Sequence, residues 1–389
     1  GMLILTVSSS PLFLNASYYN GDICHVTDYL GLYLFALGNG CMKPCILAFG
    51  ADQFDSADPV ERVAKGSFFN WYYFFTNMGS LLSTTVLVWV LDNIGWSVGF
   101  AIPTLLLGFG LAMFVAGRRV YRYKKLGESP LTRVSQVVVA ANCVAQSSPL
   151  WLSTVSQVEE LKMLLQMFPV WVSMLVFFVV TAQMSSTLIE QGIAMDGRVG
   201  PFTVPAASLA TFDVISVLIW VPVYDAMLVP LARRVTGKDR GISHLQRISV
   251  GLVLSAVAMA YSALVEARRL AVVSIMWQAP SYFVLGAAEM LAIIGMMEFL
   301  YEQSPESMKS LGTALGQLAI AVANYLNSAL LSVVAAATTR GGGAGWIPDK
   351  LDKGHLDYYF WMMAALSVLN LLQFLHCSVR YRGNNTLST

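Results

Sequence analysis

The feature that most constrains this chain is a series of long apolar runs. A helix needs about 20 consecutive apolar residues to cross a bilayer. Nine runs are long enough, and they lie at 29–50, 67–91, 98–118, 163–189, 203–231, 245–265, 272–300, 310–338 and 356–379. Only 12% of the residues are charged, about half the share in an average soluble domain. The sequence therefore predicts an all-α polytopic membrane protein.

A tenth apolar run, at 1–14, is too short to span, because polar residues begin at Asn15. It lacks the basic start and the small-residue cleavage site of a signal peptide. Gly1 also stands where an initiator methionine is expected. These features predict that the sequence begins inside a helix, with about ten transmembrane segments of which the first is incomplete.

The basic residues of the loops alternate between the two sides of the predicted membrane. With residue 1 toward the cytoplasm, 17 lysines and arginines fall in or beside the inside loops at 51–66, 119–162, 232–247 and 301–309 and in the tail. The opposite loops hold six. Because cytoplasmic loops are enriched in Lys and Arg, this count supports both the segment assignment and the orientation.

The long basic loop at 119–162 divides the chain into two unequal groups of helices. Six spans follow it, so 163–381 is predicted to be a C-terminal six-helix half, with a cytoplasmic tail at 382–389. Residues 1–118 are then the remainder of an N-terminal half, holding helices 3–6 and lacking the first two. The glycine-rich run at 341–345 is expected to be a flexible turn on the opposite side.

Lys43 is a charged group within a predicted span, next to Pro44 and two glycines that loosen the helix. A charge at mid-bilayer costs at least about 2.5 kcal/mol, so an ionisable group at that depth is a functional candidate. Lys43 is expected to face a water-filled cavity and meet an anionic group. The alternative is a lysine that reaches the headgroups.

Glu289 and Asp213 are the acidic candidates within spans. Glu289 could hold a substrate ammonium or carry a proton, or it could be a protonated acid bonded to a neighbouring helix. Asp213 could line the same cavity or pair two helices. Glu298 lies nine residues after Glu289, half a turn away around the helix. It is therefore expected to face the opposite way, near the inner membrane surface.

Other residues limit the function classes. The net charge of +1 argues against a nucleic-acid partner. The four histidines are dispersed, and no metal-ligand or nucleophile–base spacing is present, so neither an enzyme nor a metal or other cofactor is expected. Cys41 and Cys45 are expected to be buried, free thiols. Asn70 and Asn77 lie seven residues apart and share one helix face.

A lysine and a glutamate in separate halves suggest a dipolar ligand, such as an amino acid or peptide zwitterion. Titratable carboxylates inside the membrane also suggest coupling to protons. The residues alone thus favour a proton-linked transporter of small polar solutes in a lipid bilayer.

Several motifs resemble those of the plant nitrate/peptide transporter family, the plant branch of the proton-coupled oligopeptide transporters. The motifs span nearly the whole chain and are most similar to its di- and tripeptide transporters. They are Phe49-Gly50-Ala51-Asp52-Gln53-Phe54-Asp55, Lys65-Gly66-Ser67-Phe68-Phe69-Asn70-Trp71, Gln157-Val158-Glu159-Glu160, Ala182-Gln183-Met184-Ser185, Val221-Pro222-Val223-Tyr224-Asp225, Leu245-Gln246-Arg247 and Gly345-Trp346-Ile347-Pro348.

The resemblance implies a major facilitator fold, alternating access and symport of peptide with protons. It implies that Lys43 holds the peptide carboxylate and takes part in proton coupling. Glu289 is expected to hold the peptide amino terminus, also with a role in proton coupling, and Asn77 to contact the peptide backbone. Asp213 falls where relatives often carry a polar residue. A multi-pass location is implied, in the plasma membrane rather than the vacuolar membrane.

Two departures from the family pattern leave alternatives open. The first-helix motif of two glutamates and an arginine is absent, so one alternative to a peptide symporter is a chain that is inactive as written, or a non-transporting partner of full-length relatives. Thr181 stands where nitrate-transporting relatives can carry histidine and peptide-transporting ones often carry tyrosine. Transport of nitrate or another organic anion therefore remains an alternative.

Overall fold

The computed structural model describes residues 1–9, 21–55, 58–123, 132, 135, 155–199, 202–236, 241–269, 274–305, 308–339, 345–348 and 354–381. Most of the predicted loop at 119–162, the glycine run up to 344 and the tail at 382–389 lie outside these residues. The described part is almost entirely helical, with one two-stranded hairpin.

The first group of helices precedes the central loop. It consists of α1 (Met2–Ser8), α2 (Gly21–Ala51), α3 (Pro59–Leu82), a π-helical turn (Ser83–Leu87), α4 (Val88–Asn93) and α5 (Trp96–Ala116). Asp58 caps α3 by accepting a hydrogen bond from the backbone N–H of Val60. This bond satisfies a helix N–H that lacks an intrahelical partner.

The second group follows the central loop. It consists of α6 (Val155–Thr181), α7 (Thr187–Ile193), β1 (Arg198–Val199), β2 (Phe202–Thr203), α8 (Ala210–Val223), a π-helical turn (Tyr224–Leu228), α9 (Val229–Thr236), α10 (His244–Arg268), α11 (Ala279–Gln303), α12 (Lys309–Thr339) and α13 (Leu356–Arg380). The hairpin pairs Arg198 with Thr203 and Val199 with Phe202 in antiparallel register. Ser243 and Gln246 form a capping box at the start of α10.

Nine helical stretches in the described part of the chain are long and apolar enough to cross a membrane. Each coincides with one of the nine predicted spans, so the all-α polytopic class is confirmed. The helices extend a few residues beyond most of the apolar runs. Hydropathy detects only the apolar middle of a helix, whereas capping residues set the ends of its backbone hydrogen bonding.

Contacts between loops agree with the predicted alternation of sides. At one end, the Tyr301 hydroxyl bonds Asp52, and Arg122 forms a bidentate pair with Glu61 at 2.8 and 3.0 Å. We call this end the basic end, because all four predicted inside loops meet there. At the other end, Asp196 pairs with Ser274, and Arg269 donates to the carbonyl of Ala194.

Burial differs sharply between the two groups of helices. The apolar windows of α2, α3 and α5 are 11, 6 and 6% buried, whereas that of α11 is 78% buried. The reason is that α11 packs against α3, α6, α8, α10 and α12, and α10 also packs along α13. The core therefore lies in the second group.

This difference overturns one expectation. Cys41 and Cys45 on α2 are free thiols, but both are exposed rather than buried. The expectation failed because an apolar sequence shows that a residue avoids water, not that protein covers it. No described element covers that face of α2.

Candidate functional site

An acidic cluster forms inside the membrane where three helices meet. We define it as Tyr73 on α3, Asp213 on α8 and Glu289 on α11. The Tyr73 hydroxyl donates a hydrogen bond to a Glu289 carboxylate oxygen over 3.5 Å. The Asp213 carboxylate is close enough to repel that of Glu289 when both are ionised. Its Oδ1 atom is buried and has no hydrogen-bond partner.

Gly286 explains why Asp213 and Glu289 come together. A Cβ atom at Gly286 would lie 2.6 Å from the backbone oxygen of Asp213 and 2.7 Å from its Oδ1. The backbone of α11 therefore touches α8 at this point, which only glycine allows. Glu289 follows three residues later on the same face of α11. The close contact of the helices thus positions the two carboxyl groups.

The other two predicted site residues lie outside this cluster. Asn77 is half-buried one turn after Tyr73 on α3, and its amide nitrogen donates to the carbonyl of Tyr73 at 3.0 Å. Lys43 is exposed on α2, and within the described part of the chain its side chain makes no hydrogen bond or ion pair. The structure thus joins Asp213 with Glu289 and leaves Lys43 apart.

A second polar cluster lies at the basic end of the same helices. We call it the basic-end network and define it as Lys65, Ser67, Asn70, Asp225, His244, Arg247, Glu298 and Glu302. It connects α3 of the first group with the π-helical turn, α10 and α11 of the second group. Its members are largely buried, so each polar group needs a partner.

Asp225 is the best-satisfied acid of the network. Its carboxylate accepts hydrogen bonds from Ser67 at 2.7 Å, from Asn70 at 2.9 Å and from the Trp71 indole at 3.2 Å. Asp225 lies in the π-helical turn that follows Pro222. Such a turn changes the direction in which side chains leave a helix.

Arg247 is the central cation of the network and is only 4% exposed. Its Nη2 donates to Asn70 at 2.8 Å, and its Nη1 lies 3.9 Å from Glu298. The guanidinium also lies over the Tyr224 ring, 4.0 Å from its centroid, an arrangement that adds cation–π stabilisation. Asn70 therefore bonds Asp225 and Arg247 at once and joins three helical segments.

His244 lies between two glutamates. Its Nδ1 is 3.3 Å from Glu298 and its Nε2 is 3.0 Å from Glu302. A carboxylate only accepts, so both bonds form when both ring nitrogens carry a proton. Lys65 of α3 completes the network, 3.9 Å from Glu302.

The structure corrects the predicted orientation of Glu298. This residue lies at the basic end of α11, is 5% exposed and sits between His244 and Arg247. It also faces α3, since its Oε1 would lie 3.4 Å from a Cβ at Gly66. Glu289 contacts α3 as well, through Tyr73. The argument from the half-turn between Glu289 and Glu298 failed because α3 packs along α11 and contacts it at the depth of each glutamate.

The ligand atoms of His244, Glu298 and Glu302 lie within 4.8 Å of one another, as in a metal site. However, the imidazole uses one nitrogen for each glutamate, so the atoms do not converge on one point. Lys65 and Arg247 also face the same carboxylates. Two adjacent cations oppose the entry of a metal ion, and the cluster is better described as an ion-pair network.

Most members of this network were missed by reasoning from single residues. Five of them lie in three of the motifs noted above: Lys65, Ser67, Asn70, Asp225 and Arg247. All three motifs fall at the inside ends of predicted spans. A search for opposite charges at one membrane level on different helices could therefore have paired Asp225 with Arg247.

Comparison with known proteins places the chain in a family. The POT family model, PTR2, matches residues 1–148 and 142–347. With the nine helices of the described residues that are long and apolar enough to cross a membrane, this match defines the class of protein as a multi-pass membrane transporter. The chain belongs to the POT family.

The plant branch of the family includes the most similar relatives found. Protein NRT1/PTR FAMILY 8.3 of Arabidopsis thaliana is 42% identical over 100% of this chain and 79% of its own length. Protein NRT1/PTR FAMILY 8.1 of the same plant is 40% identical over 98% of this chain and 80% of its own length. The predicted resemblance to the plant nitrate/peptide transporters is confirmed.

Solved structures share the fold. An auto-inhibited POT family peptide transporter matches with a TM-score of 0.65 and 23% identity, covering 98% of this chain and 82% of the other. The POT family transporter PepTSo matches with a TM-score of 0.65 and 20% identity, with the same coverage. These matches confirm the predicted major facilitator type of fold.

Proposed function

We propose that this chain is a proton-coupled symporter of di- and tripeptides that works by alternating access. The observation that carries the proposal is the acidic cluster, in which two carboxyl groups and a tyrosine hydroxyl meet inside the membrane. No cation of the described residues is bonded to them. Glu289 and Asp213 receive the peptide ammonium, Asn77 contacts the peptide backbone, and Lys43 binds the carboxylate.

Electrostatics favours a zwitterion over a simple anion at this cluster. In surroundings of low dielectric constant, opposite charges attract and like charges repel far more strongly than in water. Two carboxylates therefore attract an ammonium group and repel nitrate. Thr181 is buried and its hydroxyl bonds the Phe178 carbonyl at 3.3 Å, so it supplies no positive charge for nitrate.

Proton coupling follows from the same arrangement. An acid inside a membrane that lacks a paired cation has a much lower free energy in its neutral, protonated form than in its ionised form. An arriving ammonium group stabilises one of the two acids in its ionised form, and a proton on the other acid removes the repulsion between them. Asp213 and Glu289 can thus hold peptide and proton at the same time, as symport requires. Lys43 is the second coupling group, since its ammonium can bind either the peptide carboxylate or another acid.

The basic-end network acts as the inner gate. It links residues of 1–118 to residues of 163–381, and the Thr313 hydroxyl also donates to the Pro44 carbonyl at 3.1 Å. Opening toward the cytoplasm has to break these links, so they favour the state closed at that end. By the excess of basic residues, this end faces the cytoplasm, and we propose the plasma membrane as the location.

The proposal is tested by uptake of a labelled dipeptide into liposomes that contain the purified chain. We expect an inward proton gradient to drive uptake. We expect Glu289→Gln or Lys43→Ala to lower it at least about tenfold, the size of effect when a charged hydrogen bond is lost. Glu159→Gln, which removes an exposed carboxylate at the start of α6, serves as the matched control.

Two results would contradict the proposal. Gradient-driven uptake of labelled nitrate but not dipeptide by the same liposomes would assign the chain to anion transport. Absence of uptake of both solutes, with the protein folded and inserted, would remove the transport assignment for this chain.

A further inference from the structure

A small polar cavity is lined partly by the basic-end network and partly by Arg233, a residue with no role in the function proposed above. Its volume is about 40 Å³, room for about three waters or one tetrahedral oxyanion. It opens between α3, the π-helical turn, α9 and α10. Its charged lining residues are Asp225, Arg233, His244, Arg247 and Glu298, and its hydroxyl-bearing ones are Ser67 and Tyr224.

Two arginines of the cavity have unsatisfied donors. The Nε atoms of Arg233 and Arg247 are both buried and have no hydrogen-bond partner. Arg247 is otherwise fully engaged, with Asn70 and Glu298. Arg233 makes no hydrogen bond or ion pair with any residue of the described part. A buried donor without an acceptor is costly, about 1–3 kcal/mol and more for a charged group.

The charge balance of the lining leaves one positive charge over. Three positive charges come from Arg233, Arg247 and His244, whose two ring nitrogens each face a glutamate. Two negative charges come from Asp225 and Glu298. Both carboxylates already accept bonds within the network. The surplus therefore lies on Arg233, whose guanidinium suits an oxyanion, because its fork of N–H groups matches phosphate oxygens.

We propose that this cavity binds one phosphate group, either a free ion of the cytosol or the headgroup of a membrane lipid. Arg233 supplies the charge and the Arg247 Nε is a further donor. The Ser67 hydroxyl donates to Asp225, and its oxygen remains able to accept a hydrogen bond from a protonated phosphate oxygen. Because Ser67 belongs to the first group of helices and both arginines to the second, the bound phosphate links the two groups. It stabilises the state closed at the basic end.

The test uses the full chain in nanodiscs of phosphatidylcholine, with the thermal unfolding midpoint followed as inorganic phosphate replaces gluconate at constant ionic strength. A ligand that binds only the folded protein raises this midpoint with its concentration. We expect a saturable rise. Arg233→Gln should weaken the apparent affinity about tenfold, and Arg234→Gln, at the exposed neighbouring arginine, should change it less than about twofold.

A second arm separates the two sources of phosphate. Phosphatidic acid is added to the nanodiscs in place of free phosphate. Stabilisation by the lipid alone, lost in Arg233→Gln and kept in Arg234→Gln, supports the site with a headgroup as its ligand.

Binding of radiolabelled phosphate to the unsubstituted chain and to Arg233→Lys keeps the test valid should Arg233→Gln fold poorly. The proposal is overturned if neither phosphate source gives a saturable effect, since the cavity then holds only water. It is also overturned if both arginine variants lose the effect equally, because the attraction is then a general one of the basic surface. Neither readout depends on transport.

Discussion

Asp213 and Asp225 lie twelve residues apart on one helical stretch, and Glu289 and Glu298 lie nine apart on α11. In each pair, one acid belongs to the acidic cluster and the other to the basic-end network. Asp225 accepts three hydrogen bonds, whereas the Asp213 Oδ1 accepts none. Glu298 faces an imidazole and a guanidinium, whereas the hydrogen bond from Tyr73 to Glu289 is long, at 3.5 Å.

The difference separates two uses of a carboxylate in a membrane protein. At the basic end, the charges are matched inside the protein, so the acids hold two groups of helices together. In the acidic cluster the charges are unmatched, so a proton or a ligand has to complete them. An acid that stabilises the fold and an acid that binds a ligand are therefore distinguished by their partners, not by their residue type or burial.

Removal of the central cation should have the largest effect. Arg247→Met keeps much of the side-chain volume but removes the guanidinium that faces Glu298 and donates to the Asn70 side-chain oxygen. Breaking a buried pair in this way costs about 3–5 kcal/mol. The thermal unfolding midpoint should fall by far more than for Arg234→Met, the exposed control. Equal midpoints for the two variants would show that the network does not hold the fold.

Neutralising the two aspartates should change the stability of the protein in different directions. Asp225→Asn weakens hydrogen bonds that depend on the negative charge, at a cost of about 1.5–3 kcal/mol. Asp213→Asn removes a charge that no cation of the described residues pairs with, so stability should stay within about 0.5 kcal/mol or rise. Dipeptide uptake should fall in Asp213→Asn all the same. A similar loss of stability in both variants would remove the distinction between the clusters.

The contact that forms the acidic cluster can be strained directly. Gly286→Ala places a methyl group 2.6–2.8 Å from Asp213 and Ser216, so α8 has to shift. Overpacking of this kind costs about 1–3 kcal/mol, and it should also lower dipeptide uptake. At Gly79 on α3 the same change meets open space. An unfolding midpoint for Gly286→Ala equal to that of Gly79→Ala would show that the helices are not in tight contact.

Loss of the tyrosine hydroxyl should have the smallest effect. The hydrogen bond from Tyr73 to Glu289 is long, at 3.5 Å, so Tyr73→Phe should cost less than about 1 kcal/mol of stability. The KM for a dipeptide should rise by no more than about fivefold. Tyr33→Phe, on an exposed part of α2, should change neither quantity. A loss of uptake as large as that of Glu289→Gln would instead make Tyr73 a principal ligand group.

The sequence by itself determined that the chain carries nine apolar runs long enough to cross a membrane, which loops share one side, and that Glu289 and Asp213 lie within such runs. These properties follow from hydropathy and charge along the chain, and each can be read from a short window. The family motifs added the transporter class.

Only the tertiary structure decided which acid has which partner. In the sequence, nothing near Asp225 or Glu298 distinguishes them from Asp213 and Glu289 as acids with hydrogen-bond or ion-pair partners. Their partners on α3 and α10 lie at positions set by how the helices pack and by the π-helical turn after Pro222. A hydrogen bond between helices depends on their relative rotation and depth to within an ångström, and no local property of the chain fixes either.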